Sequence, residues 1–74
     1  MDIRDCLKLA VANSGMKQIA IAERANIAPD KLSNILNKRR KLEASEMIEI
    51  CSILGISVAE LLQFKNGLAK DKAS

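Results

Sequence analysis

Gln18-Ile19-Ala20-Ile21-Ala22-Glu23-Arg24-Ala25, then Asn26-Ile27-Ala28, then Pro29-Asp30-Lys31-Leu32-Ser33-Asn34-Ile35-Leu36: the fold turns on how these residues are read. In the first segment Ile21, Ala22 and Ala25 make a short face of mostly small residues, which lets another helix approach closely. The run Ile19-Ala20-Ile21-Ala22 also permits a strand. It is too short for one, and it passes at once into Glu23-Arg24-Ala25, which are good helix formers. Asn26 tolerates the left-handed backbone better than most residues, so it can turn the chain sharply. Ile27 then points back to the core. Pro29 suits a first helical position, where its missing N–H costs nothing. Asp30 suits the positive end of that helix. Leu32, Ile35 and Leu36 form its buried face, while Lys31, Ser33 and Asn34 point elsewhere. The segment predicts two short helices, 18–25 and 29–36, joined by about three residues.

Outward from this pair the helical pattern continues. Upstream, Ile3, Cys6, Leu7, Ala10 and Val11 recur at helical spacing. Asp2 and Asp5 lie near the start of that helix, where acids complement the helix dipole. Asn13-Ser14-Gly15 ends it. Downstream, Met47, Ile50, Cys51 and Leu54 fall at i, i+3, i+4 and i+7, the clearest stripe in the chain, and Gly55 closes that helix. Ser57-Val58-Ala59-Glu60 has the form of a capping box, with Val58, Leu61 and Leu62 as the buried face of a short fifth helix. The fold class expected is all-α, a compact bundle of five helices. Residues 1–64 form its single domain, and the polar tail 65–74 is expected to fray. With 74 residues there is room for one domain only. Phe64 is the only aromatic residue, so many short strands are not expected either.

Charge is distributed unevenly. Twelve Lys and Arg against nine Asp and Glu give a net +3, which alone decides little. The placement says more: Lys31, Lys38, Arg39, Arg40 and Lys41 fall in one short stretch bounded by Asp30 and Glu43. Such a stretch suits a polyanion. Glu43, Glu46 and Glu49 recur at helical spacing. With no His in the chain they read as a solvated face rather than a metal or acid–base site. Cys6 and Cys51 sit in apolar periodic segments and read as small core residues in a reduced compartment. No nucleophile–base pair, Gly-rich phosphate loop or metal-ligand cluster appears, so no catalytic residue, metal or cofactor is expected. No apolar run approaches the ~20 residues that span a bilayer, and a cytoplasmic location is expected.

Two short helices meeting through a tight corner are the layout of a helix-turn-helix, whose second helix fits the major groove of DNA. From Gly15 to Leu62 the chain also resembles the phage Cro and repressor type of helix-turn-helix, the XRE or lambda-repressor-like family. The resemblance rests on Gln18 to Ile27, on Leu32-Ser33-Asn34-Ile35, and on Ile50-Cys51-Ser52-Ile53-Leu54-Gly55-Ile56-Ser57-Val58-Ala59-Glu60-Leu61-Leu62. It implies a regulator, expected to be a repressor of phage or bacterial origin, that reads operator DNA. Carried over position by position, it implies base contacts from Asp30, Lys31, Ser33 and Asn34. Asn34 is the foremost, because Asn pairs bidentately with adenine. Phosphate contacts fall to Gln18, Asn37 and Lys38, extended by Arg39, Arg40 and Lys41.

Departures from the family's pattern also show. Asn26 replaces a turn Gly. Lys17 and Ala28 stand where Ser or Thr often caps a helix, and each loses a bond of typically ~1 kcal/mol. Leu36 stands where Glu is common, and Ile19 where a polar residue is usual. Two other classes of function fit the same fold: a protein-interaction module, and an antitoxin-like regulator. No small-molecule ligand is expected. A homodimer is, through Val58 to Leu68 with Phe64 at the outer edge, since specific sites usually need two such domains.

Overall fold

Helix ends show most directly how the sequence sets the backbone. In the computed structural model, which describes residues 2–64, α1 runs Ile3–Ser14. Asp2 accepts from the Arg4 amide at 2.7 Å, and Asp5 accepts from the Asp2 amide at 3.2 Å. These reciprocal bonds satisfy donors that a helix start otherwise leaves open. Gly15 closes α1 at φ 78°, a region glycine enters without steric cost. α2 (Gln18–Ala25) and α3 (Pro29–Leu36) have the bounds the sequence predicts. Asn26 between them has φ 59°. The Ile27 amide returns to the Ala22 carbonyl at 2.9 Å, and that of Asn26 to Glu23 at 3.2 Å, the paired bonds of a Schellman end.

α4 runs Ala44–Leu54 and α5 runs Val58–Gln63. The box expected at Ser57 is present: Ser57 Oγ accepts from the Glu60 amide at 3.0 Å, and Glu60 returns to the Ser57 amide at 2.8 Å. α4 has its own return bond, from the Glu43 amide to Glu46 Oε1 at 3.0 Å. No strand occurs among the described residues.

α2 lies against α3 and α4, and α1 packs on α3, α4 and α5. Cys6, Leu7, Ile21, Leu32, Ile35, Ile50 and Leu61 are fully buried. A buried Leu or Ile contributes about 1.5–3 kcal/mol relative to exposure, against ~1 kcal/mol for a typical cap, so packing rather than capping holds the helices in place. Cys6 and Cys51 are both buried, and burial pushes the Cys51 thiol upward in pKa, the condition of an unreactive core thiol.

Two expectations for α5 need correction. Leu62 is 42% exposed, and Phe64 is buried at 8% rather than standing at an outer edge. Val58, Leu61 and Phe64 recur every three residues and turn inward together, while Leu62 rotates off that face. The rest of the expected dimer segment, and the tail 65–74, lie outside the described residues.

Candidate nucleic-acid interface

α3 is amphipathic along its whole length. Leu32, Ile35 and Leu36 point into the core. The opposite side carries Asp30 and Asn37, both exposed, with half-buried Ser33 and Asn34 beside them. The side chains of Asp30 and Asn34 make no hydrogen bond among the described residues, so their polar atoms are open to a ligand. Gln18, at the first position of α2, is likewise exposed and unengaged. Neither Lys17 nor Ala28 caps its helix through a side chain. The starts of α2 and α3 therefore present first-turn amides without a side-chain acceptor, an arrangement that favours anions.

Beyond α3 the basic segment is held in place by α1. The Lys38 amide bonds to the Ile35 carbonyl at 3.0 Å and the Arg39 amide to Asn34 at 2.7 Å, repeating the end of α2. Lys38 takes the left-handed position at φ 62°, which costs an L-residue roughly 1–2 kcal/mol. Its ammonium lies 3.2 Å from Asp5 Oδ2. Arg4 Nη1 donates to the Arg40 carbonyl at 3.1 Å. Lys8 Nζ donates to Asn37 Oδ1 at 3.3 Å, and Asn37 Nδ2 donates to the Ser33 carbonyl at 2.9 Å. Arg39, Arg40 and Lys41 are exposed, and their side chains make no ion pair among the described residues.

The other flank of α3 faces α4. Lys31 Nζ lies 2.6 Å from Glu46 Oε2. The side chain of Glu46 is only 12% exposed, so Glu46 departs from the solvated face expected for the three acids of α4. The bond from Lys31, and next the Glu43 amide, hold the Glu46 carboxyl below its usual pKa. At the start of α1 the Arg4 side chain, and then its amide, hold Asp2 well below the ordinary carboxylate range.

Of the residues singled out in the sequence, Asp30, Ser33, Asn34 and Asn37 share one side of α3. The basic run 38–41 follows directly, and Gln18 opens the neighbouring helix. Lys31 and Lys38 are each paired with an acid of a supporting helix, and Asn37 is folded back onto Ser33. The sequence reading missed Arg4, Asp5, Lys8 and Glu46, all outside the two short helices. The one signal in the sequence was the spacing of Arg4, Asp5 and Lys8 on one turn of α1. It marks an exposed face but not what that face meets.

An all-helical bundle in which two eight-residue helices meet at a left-handed Asn, with the second presenting a polar side next to a basic loop, is a helix-turn-helix domain. The chain belongs to the Cro/C1-type helix-turn-helix DNA-binding domain family, whose model matches residues 7–67. No curated protein and no solved structure matches it significantly. The family is one of DNA-binding regulators rather than enzymes, and duplex DNA is the partner it implies. No described helix is long and apolar enough to cross a membrane.

Proposed function

We propose that this protein is a sequence-specific transcriptional regulator, a repressor of phage or bacterial origin that acts by occupying its operator. α3 enters the major groove, with Asp30, Ser33 and Asn34 toward base edges and Lys31 at the flank. Gln18, Asn37, Lys38, Arg39, Arg40 and Lys41 meet phosphates and fix the register, while base contacts supply the sequence preference. The observation that carries this reading is the polar side of α3, where the Asn34 side chain makes no hydrogen bond among the described residues, placed directly before an exposed run of Arg39, Arg40 and Lys41. Two copies bind half-sites about one helical turn apart, ~34 Å. The copies meet through the outside of α5, where Leu62 rather than Phe64 is accessible.

The exposed Ile19, at 56%, and Ile48, at 58%, favour a second reading, in which the same helices grip a protein partner. One experiment separates the two. A labelled random duplex pool is titrated with protein by fluorescence anisotropy across a range of salt, and the bound sequences are recovered. A symmetric motif is expected. Asn34→Ala is expected to relax it at one position by ~1–3 kcal/mol. Neutralising Lys38, Arg39 and Arg40 together is expected to flatten the salt slope by about 0.9 for each phosphate that is no longer neutralised. Absence of duplex binding at the lowest salt overturns the regulator reading in favour of the protein partner.

A further inference from the structure

We infer that Glu46, on α4 and outside the helix-turn-helix, sets the DNA affinity and selectivity of the recognition helix by holding Lys31 as its counter-ion. The inference rests on the DNA-binding reading above and adds to it a residue that the sequence reads only as part of a solvated acidic face. Lys31 sits in the first turn of α3, where an exposed cation would reach a phosphate or a guanine. Its ammonium is instead 2.6 Å from Glu46 Oε2. The carboxylate is fixed from both sides, because Glu46 Oε1 accepts from the Glu43 amide at 3.0 Å. It therefore cannot follow Lys31 toward DNA without giving up the start of α4. With Glu46 only 12% exposed and Lys31 only 35%, the pair is screened less than a surface pair.

Arg40, Lys41 and Glu43 join Lys31 and Glu46 around one cleft of about 250 Å³. The single well-covered acid there stands among three cations of the DNA-facing side. If Lys31 leaves for a phosphate, Glu46 loses its closest partner. If Lys31 stays, the face carries one fewer free cation than the sequence suggests. In either case the pair opposes sequence-independent attraction to the backbone, and it leaves discrimination to Asp30, Ser33 and Asn34.

Glu46→Gln isolates the charge. A Gln at this position still accepts from the Glu43 amide, so α4 keeps its start. The expected result is a several-fold gain in affinity for duplex at low salt. The salt slope steepens by about 0.9, which amounts to a further weakening of roughly 3.5-fold across a fourfold rise in salt. A random duplex gains at least as much as the selected operator, so the ratio between them falls. In a Lys31→Met background, Glu46→Gln changes each of these by less than half as much. Lys31→Met alone shifts the salt slope by less than about half of that 0.9 step, a test that does not depend on the Gln variant folding. The inference is overturned if Glu46→Gln matches wild type in affinity and slope, if its effect persists without Lys31, or if Lys31→Met flattens the slope by the full step. In each of those cases wild type still binds duplex and the regulator reading stands. If wild type itself binds no duplex, both are overturned.

Discussion

The three supporting helices and the two helices of the helix-turn-helix follow different rules at their ends. α1 and α5 start with reciprocal capping bonds, and α4 starts with the Glu43 amide donating to Glu46 Oε1. α1 and α4 close on Gly15 and Gly55 in the left-handed region. α2 and α3 start at Lys17 and Ala28, with no side-chain cap. They close through Asn26 and Lys38, both L-residues at positive φ. The scaffold thus agrees with local preference, and the helix-turn-helix pair departs from it at its uncapped starts and at Lys38. Locally disfavoured choices that persist tend to mark function, because the surrounding structure has to compensate for them. Here the compensation is burial: Ile21, Ala22, Leu32, Ile35 and Leu36 are all inside.

The largest effect follows from that dependence. Leu32 is fully buried in α3, and Leu32→Ala is expected to cost about 3 kcal/mol, within the range for buried Leu truncations. Domains of this size have little stability to spare. Chemical denaturation is expected to show a midpoint shifted far toward zero denaturant. A shift no larger than that caused by removing a cap would mean that α2 and α3 do not rest on the core, and the contrast with the scaffold would collapse.

A smaller effect tests the open helix starts. Ala28 is exposed with extended backbone, φ −62° and ψ 138°, the conformation of an N-cap residue. Ala28→Asp supplies the missing acceptor and is expected to raise stability by about 1 kcal/mol. On the proposed binding mode the same carboxylate stands beside the duplex, and DNA affinity is expected to fall several-fold. Opposite signs in the melt and in the titration would tie the open start of α3 to DNA binding. Gains in both would show that the uncapped start has nothing to do with the DNA face.

The contrast also explains what was legible. The bounds of α2 and α3, the turn at Asn26, Pro29 at the first helical position, the Ser57–Glu60 box and both Gly closures follow from chemistry within four or five residues, and the sequence displays them. The site was legible only as a face. Asp30, Ser33, Asn34 and the run to Lys41 are adjacent along the chain, so their shared side is set by helix periodicity. The partners of Lys31, Asn37 and Lys38 lie on α1 and α4. Nothing local says that Asp5 meets Lys38 or that Glu46 meets Lys31, because those distances are fixed by how three helices pack. Leu62 and Phe64 were misplaced for a related reason. In a six-residue helix, one residue of rotation decides which Leu is covered.

The smallest effect concerns the left-handed residue after α3. Asn26 occupies such a position with a side chain that tolerates it, and Gly55 occupies one without a side chain at all. Lys38 has neither excuse, so its side chain must account for its presence. That side chain is 47% exposed and pairs with Asp5 at 3.2 Å. An exposed pair of this kind contributes about 0–1 kcal/mol, less than or similar to the backbone cost of the left-handed conformation. Lys38→Gly removes both together, and stability is expected to rise by about 0.5 kcal/mol as the left-handed cost disappears. The DNA titration is expected to move the other way, with weaker binding and a salt slope flatter by about 0.9. A variant that is more stable yet binds less would show that the charge, not the backbone, keeps Lys at this corner. A loss of stability would instead make the Asp5–Lys38 pair a structural strut, and α3 would then close by the scaffold's logic after all.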